Sequence, residues 1–283
     1  MGLPDLRHFR LADTGDGCWI IPDYRDRLAA WGLLEPADVA ARLADPGVSF
    51  DERRTAVRFL GFDDESLFLK FYIRPSLARR LRSRLRRRGT AMWHELQMLD
   101  RLAAASIRTP VPVAVGQVPI GHRFETYLLM TAITDHVSLE QIMFGSAPEM
   151  LDDFDRRARA TRLIAELVRR MHGGGVLNPT LYTRHVYLRP EAATLDDLAT
   201  LDAEQARLGR ANDRAIARDL AALRLTCTDK LRATDCMRFL KAYLGGKADR
   251  PAVKRMWRRC GAVARAKRSQ RRFKQYQGDG LRS

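Results

Sequence analysis

The hydrophobic rhythm of the chain changes near its middle. The first fifty residues mix short apolar pieces with glycine and proline, and Ala37 to Leu43 has the pattern of a short helix. Thr55 to Phe62 (TAVRFLGF) and Ser66 to Tyr72 (SLFLKFY) read as strands. The polar Asp63-Asp64-Glu65 between them makes the pair a hairpin. From Ala91 to Ala105 the period lengthens: Met92, Leu96, Leu99 and Ala103 recur at helical spacing. Thr109-Pro110-Val111-Pro112 ends that helix and opens an extended piece, because a residue before proline is pushed out of the helical region. Phe124 to Met130 is a further strand, running through Thr131 to His136 toward a short helix near Ser138, with Glu140 behind it.

Beyond this point the pattern is helical. Asp155 to His172 sets Leu163, Ile164, Leu167, Val168 and Met171 on one face, and Gly173-Gly174-Gly175 stops it. A loop is expected from Val176 to Pro190, and Thr194 to Leu201 (TLDDLATL) leads to Asp202. Two or three helices fill Asn212 to Leu244, and Gly245-Gly246 sets off a basic tail. There is no internal repeat. A strand-rich first half with one embedded helix, then a helical second half, is an α+β plan in two lobes with a boundary near residues 131–137. The expected division is an N-terminal extension (1–50), a small β-rich N-lobe with one key helix (51–133), a helical C-lobe (134–245) and a basic C-terminal tail (246–283).

Composition narrows the classes. A chain of 283 residues with 46% hydrophobic content can bury a sizeable core. The cysteines Cys18, Cys227, Cys236 and Cys260 form no CxxC pair, which argues against a zinc ribbon or a disulfide framework and fits a reducing compartment. No run of 18 apolar residues occurs, and Met1 to Gly17 lacks the apolar stretch of a secretory signal. The expected location is therefore cytoplasmic, or peripheral on the inner face of the inner membrane. The net charge of +16 is local: residues 74–88 hold +8 and residues 251–283 hold +10, which leaves the rest of the chain at −2. Such patches suit phosphate-rich partners. Leu77, Leu81 and Leu85 recur every fourth residue among arginines, as on an interfacial helix, although the same stripe also suits a core face. Trp257, Phe273 and Tyr276 lie among basic residues of the tail, a mixture that also serves nucleic acid. A solvated basic face, an anionic glycolipid or membrane surface, and nucleic acid all remain open on charge alone.

Several residues carry candidate chemistry. Lys70 stands in a strand between Leu69 and Phe71, where a compact charge on a flexible stem suits a phosphate contact; the alternative is an edge-strand lysine facing water. Glu95 follows Met92 by three and precedes Leu99 by four, so it borders the apolar helix face, either as a rim residue or aimed into a cleft. Asp202 follows the apolar LATL stretch and suits either a magnesium ligand or a helix cap. Tyr182 and His185 lie in the loop after the triple glycine, where a lone histidine is ordinarily structural. Strand hairpin, strand lysine, helix glutamate, extended linker, helix, glycine stop, polar loop and aspartate follow the running order of a protein-kinase-like fold.

With RTAVRF (54–59), FLKFY (68–72), AMWHELQMLDRL (91–102), RRMHGGG (169–175), LYTRHVYL (181–188), LATLDAEQARLG (198–209) and RDLAALRLT (218–226), the chain resembles the lipopolysaccharide core kinases, which phosphorylate heptose or Kdo sugars. The resemblance covers roughly residues 50–245. It implies ATP and Mg2+ as cofactors. Lys70 would order the phosphates and Glu95 hold Lys70, with Thr131 to Ile133 against adenine. Asp202 and His185 would hold metal, while Tyr182 and Asp219 brace the loop. The family's loop reads His-Arg-Asp before the tyrosine. Here the matching stretch is Asn178-Pro179-Thr180, so Thr180 stands at the base position. A hydroxyl cannot take a proton near neutral pH as a carboxylate does, and general-base catalysis is worth about 100- to 10,000-fold. The turn Gly61 to Glu65 also lacks a glycine-rich phosphate loop. The expectation is a pseudokinase-like scaffold or regulator that binds ATP and magnesium with impaired catalysis, with a protein partner alongside the anionic glycolipid or inner-membrane surface. The alternatives are an active heptose or Kdo kinase and a basic nucleic-acid-binding protein.

Overall fold

The computed structural model describes residues 5–15, 17–44, 49–51, 55–74, 91–119, 124–145, 152–227, 231–246 and 248–268. The stripe at Leu77, Leu81 and Leu85, most of the basic segment 74–88, and Phe273 and Tyr276 of the tail lie outside the described residues. The chain forms two units, Met1–Ala104 with Thr109–Thr134 and Ala105–Arg108 with Asp135–Ser283.

In the first unit the described strands make one antiparallel sheet. They are β1 (Ala12–Asp13), β2 (Cys18–Ile20), β3 (Ser49–Asp51), β4 (Thr55–Gly61), β5 (Ser66–Ile73), β6 (Pro112–Gln117) and β7 (Phe124–Thr131). Their order is β1-β2-β6-β7-β5-β4-β3. The hairpin read from the sequence is β4/β5, paired from Thr55 opposite Tyr72 to Gly61 opposite Ser66 and closed by Phe62 N–H donating to Glu65 O at 2.8 Å. β5 therefore lies inside the sheet, with Lys70 opposite Val57 and Leu128. That placement removes the edge-strand reading of Lys70.

The period of two sorts β5 onto two faces. Leu67, Leu69 and Phe71 enter a core with Tyr127 and Leu129 of β7, Leu28 of α1 (Arg25–Ala30), and Val39 and Ala40 of α2 (Pro36–Ala41). Residues from the first fifty thus cover one face of the sheet. Lys70 and Tyr72 alternate onto the other face, toward α3 (Ala91–Ala104). β2 obeys the same rule: Cys18 and Ile20 join the core, while Trp19 meets Trp93 of α3 edge-on at 5.0 Å. Gly116 is required where β6 meets β7, because a Cβ there would lie 2.7 Å from the Tyr127 ring.

α3 also buries an aspartate. Asp100 accepts the backbone N–H groups of Arg7, His8 and Phe9 at 2.7, 2.8 and 2.9 Å, which ties the N-terminal segment to the helix.

The second unit is helical with short ladders. β8 (Val137–Ser138), β10 (Val186–Leu188) and β11 (Leu198–Thr200) pair in the order β11-β10-β8, and β9 (Val176–Leu177) pairs with β12 (Arg207–Leu208). The helices are α4 (Leu139–Phe144), α5 (Phe154–Gly173), α6 (Asp213–Thr226), α7 (Ala233–Tyr243) and α8 (Arg250–Arg268). α4 begins with a capping box between Ser138 and Gln141, and Asp153 caps α5 through the Arg156 N–H. α5 packs on α7 and α6 on α8. The stretch expected as a loop from Val176 to Pro190 contains β9, a 3-10 turn at Thr183–His185, and β10. Strands of two or three residues are too short to declare a period and owe their pairing to the tertiary fold. Part of the basic tail is α8, which buries Val253, Met256, Cys260 and Ala264, the last against Ala221 and Leu225 of α6. Among the described residues no helix is long and apolar enough to cross a membrane.

Replacing Asp100 by Ala removes all three backbone bonds, and hydrogen bonds to charged groups are worth roughly 1.5–3 kcal/mol each. Asp100→Ala should therefore lower stability by at least about 3 kcal/mol in urea denaturation. Asp100→Asn retains the oxygen that serves His8 and Phe9 and should cost clearly less. Equal effects would remove the anchoring role.

Candidate functional site

In the first unit the chemistry starts from one strand and one helix. Lys70 and Tyr72 are two apart on β5, so their side chains project from the same face and reach the same carboxylate on α3. Lys70 Nζ donates to Glu95 Oε2 at 2.8 Å, and the Tyr72 hydroxyl donates to the same oxygen at 2.7 Å. Lys70 is 7% exposed and Glu95 2%. The Tyr72 ring adds a second contact, its centre 5.5 Å from Nζ. Glu95 is thus turned inward rather than being a rim residue. Thr131, at the end of β7, donates its N–H to Val111 O at 2.9 Å and accepts the Val111 N–H on Oγ1 at 3.0 Å. Ala132 N–H donates to Ser66 O at 2.8 Å, and Ile133 is half-buried beside it.

In the second unit the residues gather around the 178–185 stretch. Asn178 Oδ1 accepts both the N–H and the hydroxyl of Thr180, at 3.0 and 2.9 Å, so the Thr180 hydroxyl is spent on its neighbour. His185 Nδ1 lies 2.9 Å from the Thr180 carbonyl. A carbonyl only accepts, so Nδ1 carries the proton, and Nε2 keeps a lone pair that accepts from Arg184 Nε at 3.0 Å. Asp202 Oδ2 is 3.4 Å from the same Nε2. β11 is fastened to His185 by Thr200 Oγ1 and Leu201 N–H, both donating to the His185 carbonyl at 3.1 and 3.0 Å. Asp202 follows at φ 56°, a left-handed conformation that costs an L-residue roughly 1–2 kcal/mol. No helix follows it, which removes the capping reading. The Tyr182 ring stands 5.7 Å from that of His185.

Asp219 is fully buried on α6 and accepts from Arg218 Nε at 3.1 Å and His172 Nε2 at 3.3 Å. His172 Nδ1 in turn lies 2.8 Å from the Tyr243 hydroxyl, so the network ties α5, α6 and α7.

Two residues of this region have no counterpart in the sequence reading. Glu204 brings a carboxylate oxygen within 4.8 Å of one from Asp202. Its position two residues after Asp202 was the available signal. Lys267, at the end of α8, donates to the Pro179 carbonyl at 2.7 Å. Burial pushes its amine down to about 8, with Asp219 drawing it back up. Eighty-eight residues separate the partners, so no local pattern points to the contact.

The donor set fits a divalent cation. Asp202 and Glu204 supply the oxygens that magnesium takes, whereas the single Nε2 lone pair of His185 already accepts from Arg184 Nε.

A family model described as the lipopolysaccharide kinase (Kdo/WaaP) family matches residues 40–243. A solved structure of WaaP in complex with acyl carrier protein is similar at a TM-score of 0.61 and 20% identity, over 90% of this chain and 99% of that one. The ROP18 kinase domain in complex with AMP-PNP and sucrose is similar at 0.46 and 14% identity, over 79% of this chain and 82% of that one. No curated protein sequence matches the chain. The fold is α+β and kinase-like, a β-rich unit with α3 and a helical unit.

Breaking a buried ion pair by removing one partner costs about 3–5 kcal/mol, because the other charge stays buried. Glu95→Gln should reduce stability to denaturant by that order. The paired apolar replacement Lys70→Met with Glu95→Leu should recover most of the loss. A neutral Glu95→Gln variant would mean the ammonium finds another partner.

Proposed function

Because the chain belongs to the lipopolysaccharide kinase (Kdo/WaaP) family, we propose that it binds ATP with magnesium and transfers phosphoryl groups slowly or not at all, as a pseudokinase-like scaffold or regulator at the cytoplasmic face of the inner membrane. The observation that carries this reading is the buried pair of Lys70 and Glu95. A buried salt bridge contributes little to stability over an apolar pair of similar volume. An ammonium kept inside a sheet at that cost is explained by a charged ligand. In this reading Lys70 meets the phosphates and Glu95 with Tyr72 fixes its direction. Thr131 to Ile133 lie along adenine. Asp202 and Glu204 hold the metal, which when bound neutralises phosphate charge, and His185 joins them through Nε2 once Arg184 Nε gives up that lone pair. Tyr182 and Asp219 support the loop through His185 and His172. Impairment rests on Thr180: its hydroxyl already donates to Asn178, and the next acid downstream is Glu191.

A second reading is an active ATP-dependent kinase for a heptose or Kdo of a lipid-linked core saccharide. The strained backbone of Asp202 favours it, because strain is retained where a side chain must be aimed. Phosphoryl transfer also depends chiefly on positioning and charge neutralisation rather than on a base. Family membership leaves the nucleic-acid reading without a supporting motif. For partners we propose an anionic glycolipid or membrane surface, supported by the exposed Arg250, Lys254, Arg255, Arg258 and Arg265 of α8. A protein partner is supported by the likeness to the WaaP structure that contains acyl carrier protein.

Binding is tested by thermal unfolding with ATP and magnesium. At 100 times Kd a ligand stabilises by about 2.7 kcal/mol, so a clear rise in midpoint is expected. Lys70→Ala should abolish that rise, and a wild-type protein indifferent to millimolar nucleotide would end both kinase readings. Turnover is tested by phosphate transfer to purified core lipopolysaccharide. Thr180→Asp should raise transfer on the order of 100-fold if a base is what is missing. No gain would return Thr180 to a structural role.

A further inference from the structure

We infer that Lys267 is a positioning residue for the turn that carries Thr180: from helix α8 it holds the Pro179 carbonyl and thereby fixes the 178–181 backbone. The inference rests on the kinase reading above for its functional consequence, and on geometry for the contact itself.

The polar groups of the turn are taken one after another. Asn178 O accepts from Leu181 N–H at 3.1 Å, and Asn178 Oδ1 holds the N–H and hydroxyl of Thr180. His185 Nδ1 donates to the Thr180 carbonyl. Proline has no N–H, so the carbonyl is the one backbone group that Pro179 offers, and Lys267 takes it at 2.7 Å. This is a charge-assisted bond, stronger than the neutral bonds around it.

The lysine is delivered by a fixed element. Cys260 and Ala264 are buried on the face of α8 that meets α6, and Lys267 stands one turn beyond Ala264 on the same face. The aliphatic stem lies inside while the ammonium reaches the turn, with the Asp219 carboxylate attracting it and Arg218 opposing. Lys267 also lies outside residues 40–243, the stretch that matches the family model. The contact is therefore made to the family segment by a helix that follows it. A threonine at the base position cannot be corrected by movement if its turn is clamped on every side.

The test uses full-length protein carrying Lys267→Met, which keeps the stem and removes the donor, beside Lys267→Arg, which restores one. Hydrogen–deuterium exchange is read on peptides spanning 178–185, α6 and α8. Kinetics are read in the Thr180→Asp background. Loss of a charged hydrogen bond is worth roughly 1.5–3 kcal/mol, so exchange at Thr180 and Leu181 should rise on the order of 10-fold or more in Lys267→Met. Exchange in α6 and ATP affinity should stay as in the parent. The kcat for phosphoryl transfer should fall about 10-fold with KM for ATP unchanged, and Lys267→Arg should restore both exchange and kcat. Unchanged exchange in the loop overturns the inference. So does a uniform rise across α6 and α8, or a Lys267→Arg variant no better than Lys267→Met. If nucleotide fails to bind at all, the kinase reading fails, while the exchange comparison still decides the contact between Lys267 and Pro179.

Discussion

A lysine in the interior of a β-sheet keeps its charge most readily with a carboxylate against it, because burial otherwise drives the amine neutral. Burying an unpaired charge costs far more than any single contact returns. Lys70 meets that condition through Glu95, and the Tyr72 hydroxyl satisfies the same oxygen. The requirement reaches outward from there. α3 must lie against the sheet in one register for Glu95 to face β5, and the edge-on contact of Trp19 with Trp93 fixes it from β2. Asp100, one helical turn and a half further along α3, draws in the backbone of Arg7 to Phe9. The first unit is thus arranged so that a charge can be kept where a hydrophobic residue would pack more cheaply.

The second unit solves a different problem, that of aiming short polar side chains without a long regular element. It does so by backbone bonds from neighbouring pieces. β11 is fastened to the His185 carbonyl, which places Asp202 one residue past a fixed point. The His185 ring is turned by its bond to the Thr180 carbonyl, and that bond also decides which nitrogen keeps its lone pair. Asp202 itself sits at φ 56°, so its direction is set by strain rather than by an ordinary loop conformation.

The elements that the sequence announces are those whose burial is one-sided and whose length exceeds a period. The β4/β5 hairpin, α3 and α5 are of that kind, and their ends fall where Asp63 to Glu65 and the triple glycine place them. Short ladders such as β9 and β12 are invisible because two residues carry no alternation. α8 is hard to read for the opposite reason: charged residues dominate its composition, while Val253, Met256, Cys260 and Ala264 form a buried stripe. At the site, Lys70 and Glu95 are 25 residues apart, and only the order of motifs relates them. Asp100 looks like any helix-face acid, because what it binds is backbone N–H, which leaves no trace in residue identity. Pro179 and Lys267 share nothing local either.

Under the proposed reading, the distribution of kept and altered residues follows from when each would act. Lys70, Glu95, Asp202 and His185 would engage a nucleotide and its metal before any bond is broken, so they lower the free energy of the bound state itself. A general base at position 180 would matter only as the acceptor loses its proton. A chain that retains the first group and carries Thr180 in the second position separates binding from turnover. The hydroxyl of Thr180, which donates to Asn178, brings no base to the turn and no charge to repel a phosphate. What would remain in each unit is a set of groups suited to binding, with no base to hasten transfer.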